Sequence, residues 1–248
     1  MPRNRATPLT VIHRFLTGPE SCAYLPDRTA QQEYLVISHL TPEEYERRMN
    51  AGWRKFGPLL FHPVCPTCQE CRPIRISADR FTPNRSQQRA LRRNADLRVV
   101  FARPTVDPVR LELYHRYHRA QAERKGWPLD DKDEGEYSFS FLLNSIPSVE
   151  ISIWQEDALV AVALTEVTPN VVSGIYHYHA PEASDRSLGK FAMLQTIELA
   201  RQLEKPWAYF GYYVADCGSL SYKSTFRPCE ILGADGIWRP WSAGEAST

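Results

Sequence analysis

A chain of 248 residues can hold one large domain or two small ones, and it is too long for a peptide-sized scaffold. Hydrophobic residues make up 43% and charged residues 24%, with no run near the ~18 consecutive apolar residues of a membrane span, so a soluble globular protein with no membrane partner is expected. The net charge of +1 conceals an asymmetry that suits an anionic partner: residues 1–100 hold 16 Lys/Arg against 9 Asp/Glu, and residues 101–248 hold 14 against 20.

Residues 1–17 contain Arg3, Arg5 and Arg14 but no apolar segment of signal-peptide length, which points to a cytoplasmic protein. Strands are predicted at 10–16 and 34–38. A helix follows over 41–51, where Thr41 and Glu44 form a capping box, Pro42 takes the first helical position and Gly52 marks the end. A hairpin is predicted over 53–63, a strand at 73–77 and a helix at 86–94. The clearest helix spans 108–125, capped by Asp107 and stopped by Gly126, with Leu113, Tyr117 and Ala120 toward the core. An acidic loop at 129–136 leads to a short helix over 139–144.

Three strands then form an antiparallel meander: Val149, Ile151 and Ile153 alternate, 159–167 is nearly continuous apolar chain, and 171–178 is the third. A helix over 187–203, a strand at 207–213, a short helix near 219–225 and a hairpin around Asp235-Gly236 complete the chain. Strands, helix, strand in this order resemble the GNAT acyltransferase core, where a loop before the central helix holds the pyrophosphate of coenzyme A on helix N–H groups. Here that loop reads RSLGKF, with Phe191 where a small residue is usual, which weakens a coenzyme A reading.

Cys65, Cys68 and Cys71 form a C-x-x-C-x-x-C run, a spacing that lets three thiols address one soft metal, and Cys22 is the nearest fourth ligand in sequence. Four thiolates suit zinc or an iron–sulfur cluster. Cys217 and Cys229 are read as core residues. Residues 79–98 carry Arg80, Arg85, Arg89, Arg92, Arg93 and Arg98 against Asp79 and Asp96, a stripe able to track phosphates or simply to face solvent. His177 and His179 alternate with Tyr176 and Tyr178 and share one strand face, where a packing role is expected. No serine elbow, P-loop or HExxH motif is present.

Five ordered segments carry a family resemblance: CAYLPDRTA from Cys22, FGPLLFHPVCPTCQECRPIRI from Phe56, FTPNRSQQRALRRNADL from Phe81, RSLGKFAMLQTIELA from Arg186 and YFGYYVADCGSLSYKSTFRPCEIL from Tyr209. Together they resemble the aminoacyl-tRNA-protein transferases, most narrowly the compact bacterial aspartate/glutamate leucyltransferases, relatives of the arginyltransferases. The resemblance implies an α+β chain: a cysteine-containing N-terminal subdomain with the basic helix over 1–106, then a GNAT-like mixed sheet with helices over 107–248 that uses no coenzyme A. It also implies transfer of leucine from Leu-tRNA to the N-terminal Asp or Glu of proteins destined for degradation in the N-degron (N-end rule) pathway. Arginine is the alternative donor. Where the family often has a basic residue and a methionine before its Tyr-Lys pair, this chain has Ser219 and Leu220.

An aminoacyl ester is already activated and an α-amine of pKa ~8 is partly neutral at pH 7, so the reaction needs no cofactor beyond correct placement and oxyanion donors. Arg186, Ser187, Gly189 and Lys190, at a helix N-terminus, are expected to receive the tRNA 3′ end. Arg85, Arg89, Arg92 and Arg93 are the candidates for its phosphates. Tyr212, Tyr222 and Lys223 are the candidates for orienting the carbonyl or shuttling a proton, and Arg72, Arg75 and Arg227 for the acceptor carboxylate. Two other classes fit parts of the pattern: a GNAT small-molecule acetyltransferase, and a zinc-containing RNA-binding module.

Overall fold

The computed structural model describes residues 7–126 and 128–242; Arg3 and Arg5 lie outside them. Strand β1 (Leu9–Leu16) is followed by a short ladder of β2 (Glu20–Ser21) with β3 (Thr29–Ala30), and then by β4 (Gln32–Leu40), which pairs antiparallel with β1. β4 is longer than its apolar run because Glu33, Leu35 and Ile37 alternate onto a buried face. Helix α1 (Pro42–Asn50) forms half of the expected capping box. Thr41 Oγ1 accepts from the Glu44 N–H at 3.2 Å, but the Glu44 carboxylate turns away to Arg47 and Arg48, whose charges outcompete a backbone N–H.

The hairpin of β5 (Arg54–Phe56) and β6 (Leu59–Pro63) completes a four-stranded sheet in the order β1-β4-β6-β5. Its turn needs Gly57, at φ +50°, since a Cβ there would collide with the carbonyl oxygen of Phe139. Next come β7 (Arg72–Ser77), α2 (Arg85–Arg93), the unforeseen edge strand β8 (Arg98–Ala102) and α3 (Pro108–Lys125). α3 begins and ends as its caps predict: Asp107 accepts from the Arg110 N–H at 2.8 Å and Gly126 is left-handed. Leu113 and Tyr117 are buried, whereas Ala120 is half-buried.

Helix begins earlier than the apolar run at 139–144. Asp133 and Glu136 cap each other's backbone N–H, so α4 (Glu134–Tyr137) forms within the acidic segment and continues as a π turn over Ser138–Leu142. The meander follows as β9 (Ser148–Gln155), β10 (Ala158–Val167) and β11 (Val171–His179). After a 3₁₀ turn at Pro181–Arg186 come α5 (Leu188–Gln202), β12 (Trp207–Tyr213), α6 (Gly218–Ser221), a 3₁₀ turn at Tyr222–Thr225, and the strands β13 (Cys229–Leu232) and β14 (Trp238–Pro240).

These strands build a mixed α+β fold on an eight-stranded sheet, ordered β14-β13-β7-β12-β11-β10-β9-β8, in which β11 and β12 are parallel and the remaining pairs antiparallel. β7 and β8 come from before residue 106, so the sheet runs across that division. β10 is buried along nearly its whole length. α3 covers one face of β11, with Tyr114 on Tyr178 and His118 on Tyr176, and the start of α5 covers the other, over His177 and His179. A second core, with Leu35, Ile37, Tyr45, Met49 and Leu60, joins the small sheet to Val171 and Tyr209 of the large one. Among the described residues no helix is long and apolar enough to cross a membrane.

Candidate active site

The parallel pairing of β11 with β12 lasts for three residue pairs, ending at Ser173 and Tyr209. Beyond it the strands part, and a cavity of about 360 Å³ opens between them. The hairpin supplies Arg54, Lys55, Phe56 and Phe61 to its wall, β11 supplies Tyr176 and His177, and α5 supplies Ala192, Met193 and Thr196. Tyr212, Tyr222 and Lys223 all line it as well, so three residues singled out in the sequence meet in one place.

Lys223 Nζ donates to the carbonyl oxygen of Tyr212 at 2.8 Å. Burial, and then the charge of Arg54, push its pKa down to about 7. The Tyr212 hydroxyl donates to the Gly52 carbonyl at 2.9 Å, whereas that of Tyr222 meets only a weak acceptor, Met193 Sδ at 3.3 Å. Burial pushes Tyr222 up to about 12 and raises Tyr212 too, so both remain protonated donors at neutral pH. His177 is pushed down to about 4 by burial, then by His179 and Lys223, which keeps it uncharged. Lys55 is held by a buried ion pair with Glu166 at 2.5 Å and by Asn144 Oδ1 at 2.9 Å.

α5 starts beside this cavity. Ser187 is left-handed and makes no side-chain cap, and a Cβ on Gly189 would lie 3.4 and 3.5 Å from the Nε2 atoms of His177 and His179. Arg186 pairs with Asp96 at 2.9 Å and Lys190 donates to Ser86 Oγ at 2.8 Å, tying the start of α5 to α2. Arg85, Arg89, Arg92 and Arg93 are exposed on α2, and Arg93 also donates to the Asp185 carbonyl. The arginine stripe is thus joined to the start of α5, where Gly189 adjoins His177 of the cavity wall.

A second cavity, of about 460 Å³, is lined by Arg28, His62, Arg72 and all four of Cys22, Cys65, Cys68 and Cys71. Tyr24 borders both cavities. Arg72 lies 5.7 Å from the Tyr213 ring, with its Nε buried and unpartnered. Arg75 and Arg227 line neither cavity: Arg75 is clamped between Trp207 and Trp238, at 3.9 and 4.3 Å, and paired with Glu230, while Arg227 lies 4.3 Å from Trp241 and donates to the Ser224 carbonyl. Burial and the neighbouring thiols push Cys71 up to about 12. The donors are of the right class for a soft metal, but as placed they do not close into a ligand set: among the described residues no group of three or more His, Cys, Asp or Glu could hold a metal ion. Cys217 and Cys229 are buried.

Sequence reasoning missed Arg54, Lys55 and the functional placement of His177. Nothing local marks them, because the hairpin meets β12 across more than a hundred residues. Phe191, which departs from the coenzyme A loop, is buried in the core at 4% exposure.

The two strands thus part beside the start of α5, and the cavity between them gathers Tyr212, Tyr222 and Lys223. Residues 20–89 match the family model for the N terminus of arginine-tRNA-protein transferases, and residues 109–233 match the model for their C terminus. The chain belongs to this aminoacyl-tRNA–protein transferase family. It is 33% identical over 220 residues to an aspartate/glutamate leucyltransferase of Campylobacter jejuni, covering 88% of this chain and 92% of that protein. Proteins of the same description from Halorhodospira halophila (35% over 240 residues, 96% and 99% covered) and Pseudomonas putida (36% over 229 residues, 91% and 96%) are similar throughout. Among solved structures, FemX matches with a TM-score of 0.44 at 9% identity, covering 82% of this chain and 79% of that one, a likeness too distant to bear on function.

Proposed function

We propose that the protein transfers leucine from Leu-tRNA to the α-amine of proteins that begin with Asp or Glu, marking them in the cytoplasm for degradation by the N-degron pathway. The observation that carries the choice of donor is the wall of the first cavity. Among the described residues that line it there is no Asp or Glu, while Phe56, Phe61, Ile175, Met193, Phe210 and Leu220 are apolar and Arg54 and Lys55 are cationic. An arginyl side chain would face like charges with no acid to pair it, and a leucyl side chain fits such a surface.

In this reading the tRNA 3′ end rests on Arg186, Ser187, Gly189 and Lys190, its phosphates running along Arg85, Arg89, Arg92 and Arg93. The acceptor amine attacks the ester carbonyl carbon, forming the C–N bond. Lys223, close in pKa to an α-amine, takes the amine proton and returns it to the ribose oxygen as the C–O bond breaks. Tyr222 has the freer hydroxyl and donates to the oxyanion; Tyr212 holds Lys223 through its carbonyl. Of the three candidate arginines for the acceptor carboxylate, Arg72 is favoured, because it lines the neighbouring cavity with an unused N–H. The division at residue 106 then separates roles only in part: acceptor, thiols and phosphate contacts lie before it and Tyr212, Tyr222 and Lys223 after it, while Arg54, Lys55, Phe56 and Phe61 complete the donor cavity from the first part. On donor chemistry and their shared cavity we also propose Cys22, Cys65, Cys68 and Cys71 as a site for zinc or an iron–sulfur cluster. Anaerobic purification with elemental analysis tests that, and metal-free protein of unchanged melting temperature and activity would refute it.

The central test offers leucyl- and arginyl-tRNA together with peptides beginning Asp, Glu or Lys, and weighs the products. A gain of one leucyl residue on the acidic peptides is expected. Arginylation, or equal reaction of the Lys peptide, would refute the reading.

A further inference from the structure

Two cations meet one bend of the chain. The register of β12 against β7 slips between Tyr209 and Tyr212, and Gly211 takes φ +69°. The Gly211 carbonyl accepts from Arg54 Nη2 at 3.1 Å, and the carbonyl of the next residue, Tyr212, accepts from Lys223 Nζ at 2.8 Å. Arg54 is 6% exposed. Its Nη1 reaches the carbonyl oxygens of Met49 and Trp53 at 3.4 and 2.6 Å, and the guanidinium lies over the rings of Tyr209 and Tyr212 at 5.8 and 5.2 Å. Nε is buried with no partner. Among the described residues no carboxylate forms an ion pair with Arg54. A guanidinium buried among carbonyls and ring faces is not neutralised, and at low dielectric its field reaches the amine on the neighbouring carbonyl.

We propose that Arg54 is a positioning residue of the transfer reaction: it fixes the bend of β12 on which Lys223 rests and sets its charge against that amine. The proposal rests on the reading of Lys223 as the proton acceptor. The groups that face Lys223 are Arg54 from β5, which lowers it, Cys71 and Cys217, which would oppose Arg54 only as thiolates, His177 from β11, whose low pKa leaves it neutral, and the protonated hydroxyls of Tyr212 and Tyr222. Arg54 is the permanent charge in this set. After burial it is the largest cause of the depressed Lys223 value.

The test follows the titration of Lys223 in the full chain by competitive labelling with acetic anhydride, read by mass spectrometry across a pH series. In Arg54→Met the midpoint of Lys223 labelling should rise by roughly one unit, and in Arg54→Lys it should stay near wild type. The acid limb of the transfer rate should move with it, with kcat affected more than KM. If Arg54→Met does not fold, Arg54→Gln removes the charge while keeping a donor for Gly211 and gives the same readout. An unshifted midpoint in a folded neutral variant overturns the proposal, whatever becomes of activity. Lys223→Met with undiminished transfer would instead overturn the reading of Lys223, whatever the labelling gives.

Discussion

A lysine that titrates near neutrality leaves marks on both activity and stability. The folded value of Lys223, about 7, lies below its ordinary 10.5, so between those two values the unfolded chain binds the proton and the folded protein does not. Stability linked to this group therefore rises as pH climbs from about 7 to 10.5 and is lowest below 7. Transfer by the wild type should increase with pH through about 7 as Lys223 loses its proton. Lys223→Met should lower kcat by roughly 10²- to 10⁴-fold, the usual worth of a positioned acid or base, and remove that limb of the profile. Its melting temperature at pH 6 should equal or exceed that of wild type, since a disfavoured buried charge is gone. Loss of activity together with a lower melting temperature would mean that Lys223 holds the fold rather than the reaction.

At the scale of elements, α2 offers a charge test that barely touches the core. Arg89, Arg92 and Arg93 are exposed, and replacing all three by Gln should weaken tRNA binding and reduce its logarithmic salt slope by about two to three. Equal slopes in wild type and variant would return α2 to a solvated face. The hairpin is the opposite case: Gly57→Ala would force a Cβ into Phe139, at a positive φ, and should destabilise by about 1–3 kcal/mol while displacing the wall that Arg54, Lys55 and Phe56 form. The same contrast explains what can be read from sequence. Thr41-Pro42 and Asp107-Pro108 with Gly126 end their helices by local chemistry, and Asp133 with Glu136 is an equally local signal in a segment whose acidic composition suggests a loop. β8 and the bend at Gly211 depend on partners far along the chain. Tyr212, Tyr222 and Lys223 can be named by resemblance, but the hairpin that completes their cavity cannot.

For the whole molecule the question is what holds the N-terminal hairpin to the sheet so that one cavity forms between them. Lys55 and Glu166 are the link with the clearest energetic signature. Their side chains are 1% and 4% exposed, Nζ also donates to the Gly57 carbonyl and to Asn144, and Glu166 Oε2 is already buried without a partner. Lys55→Met strips the buried Glu166 of its cation, and should cost about 3–5 kcal/mol. Glu166→Leu alone strands the Lys55 ammonium and should cost a similar amount. The double variant removes both charges, and a buried pair exchanged for apolar groups of similar volume is often close to neutral, so it should recover most of the loss. Denaturant melts of the four proteins give the coupling directly. A double variant no more stable than either single one would mean that the cost lies in packing, with Phe56 and Tyr45 disturbed. If the pair holds the two parts in register, the recovered double variant should also regain transfer, because Arg54 and Phe56 return to the cavity wall with β5. Stability recovered without activity would assign Lys55 a role at the cavity itself.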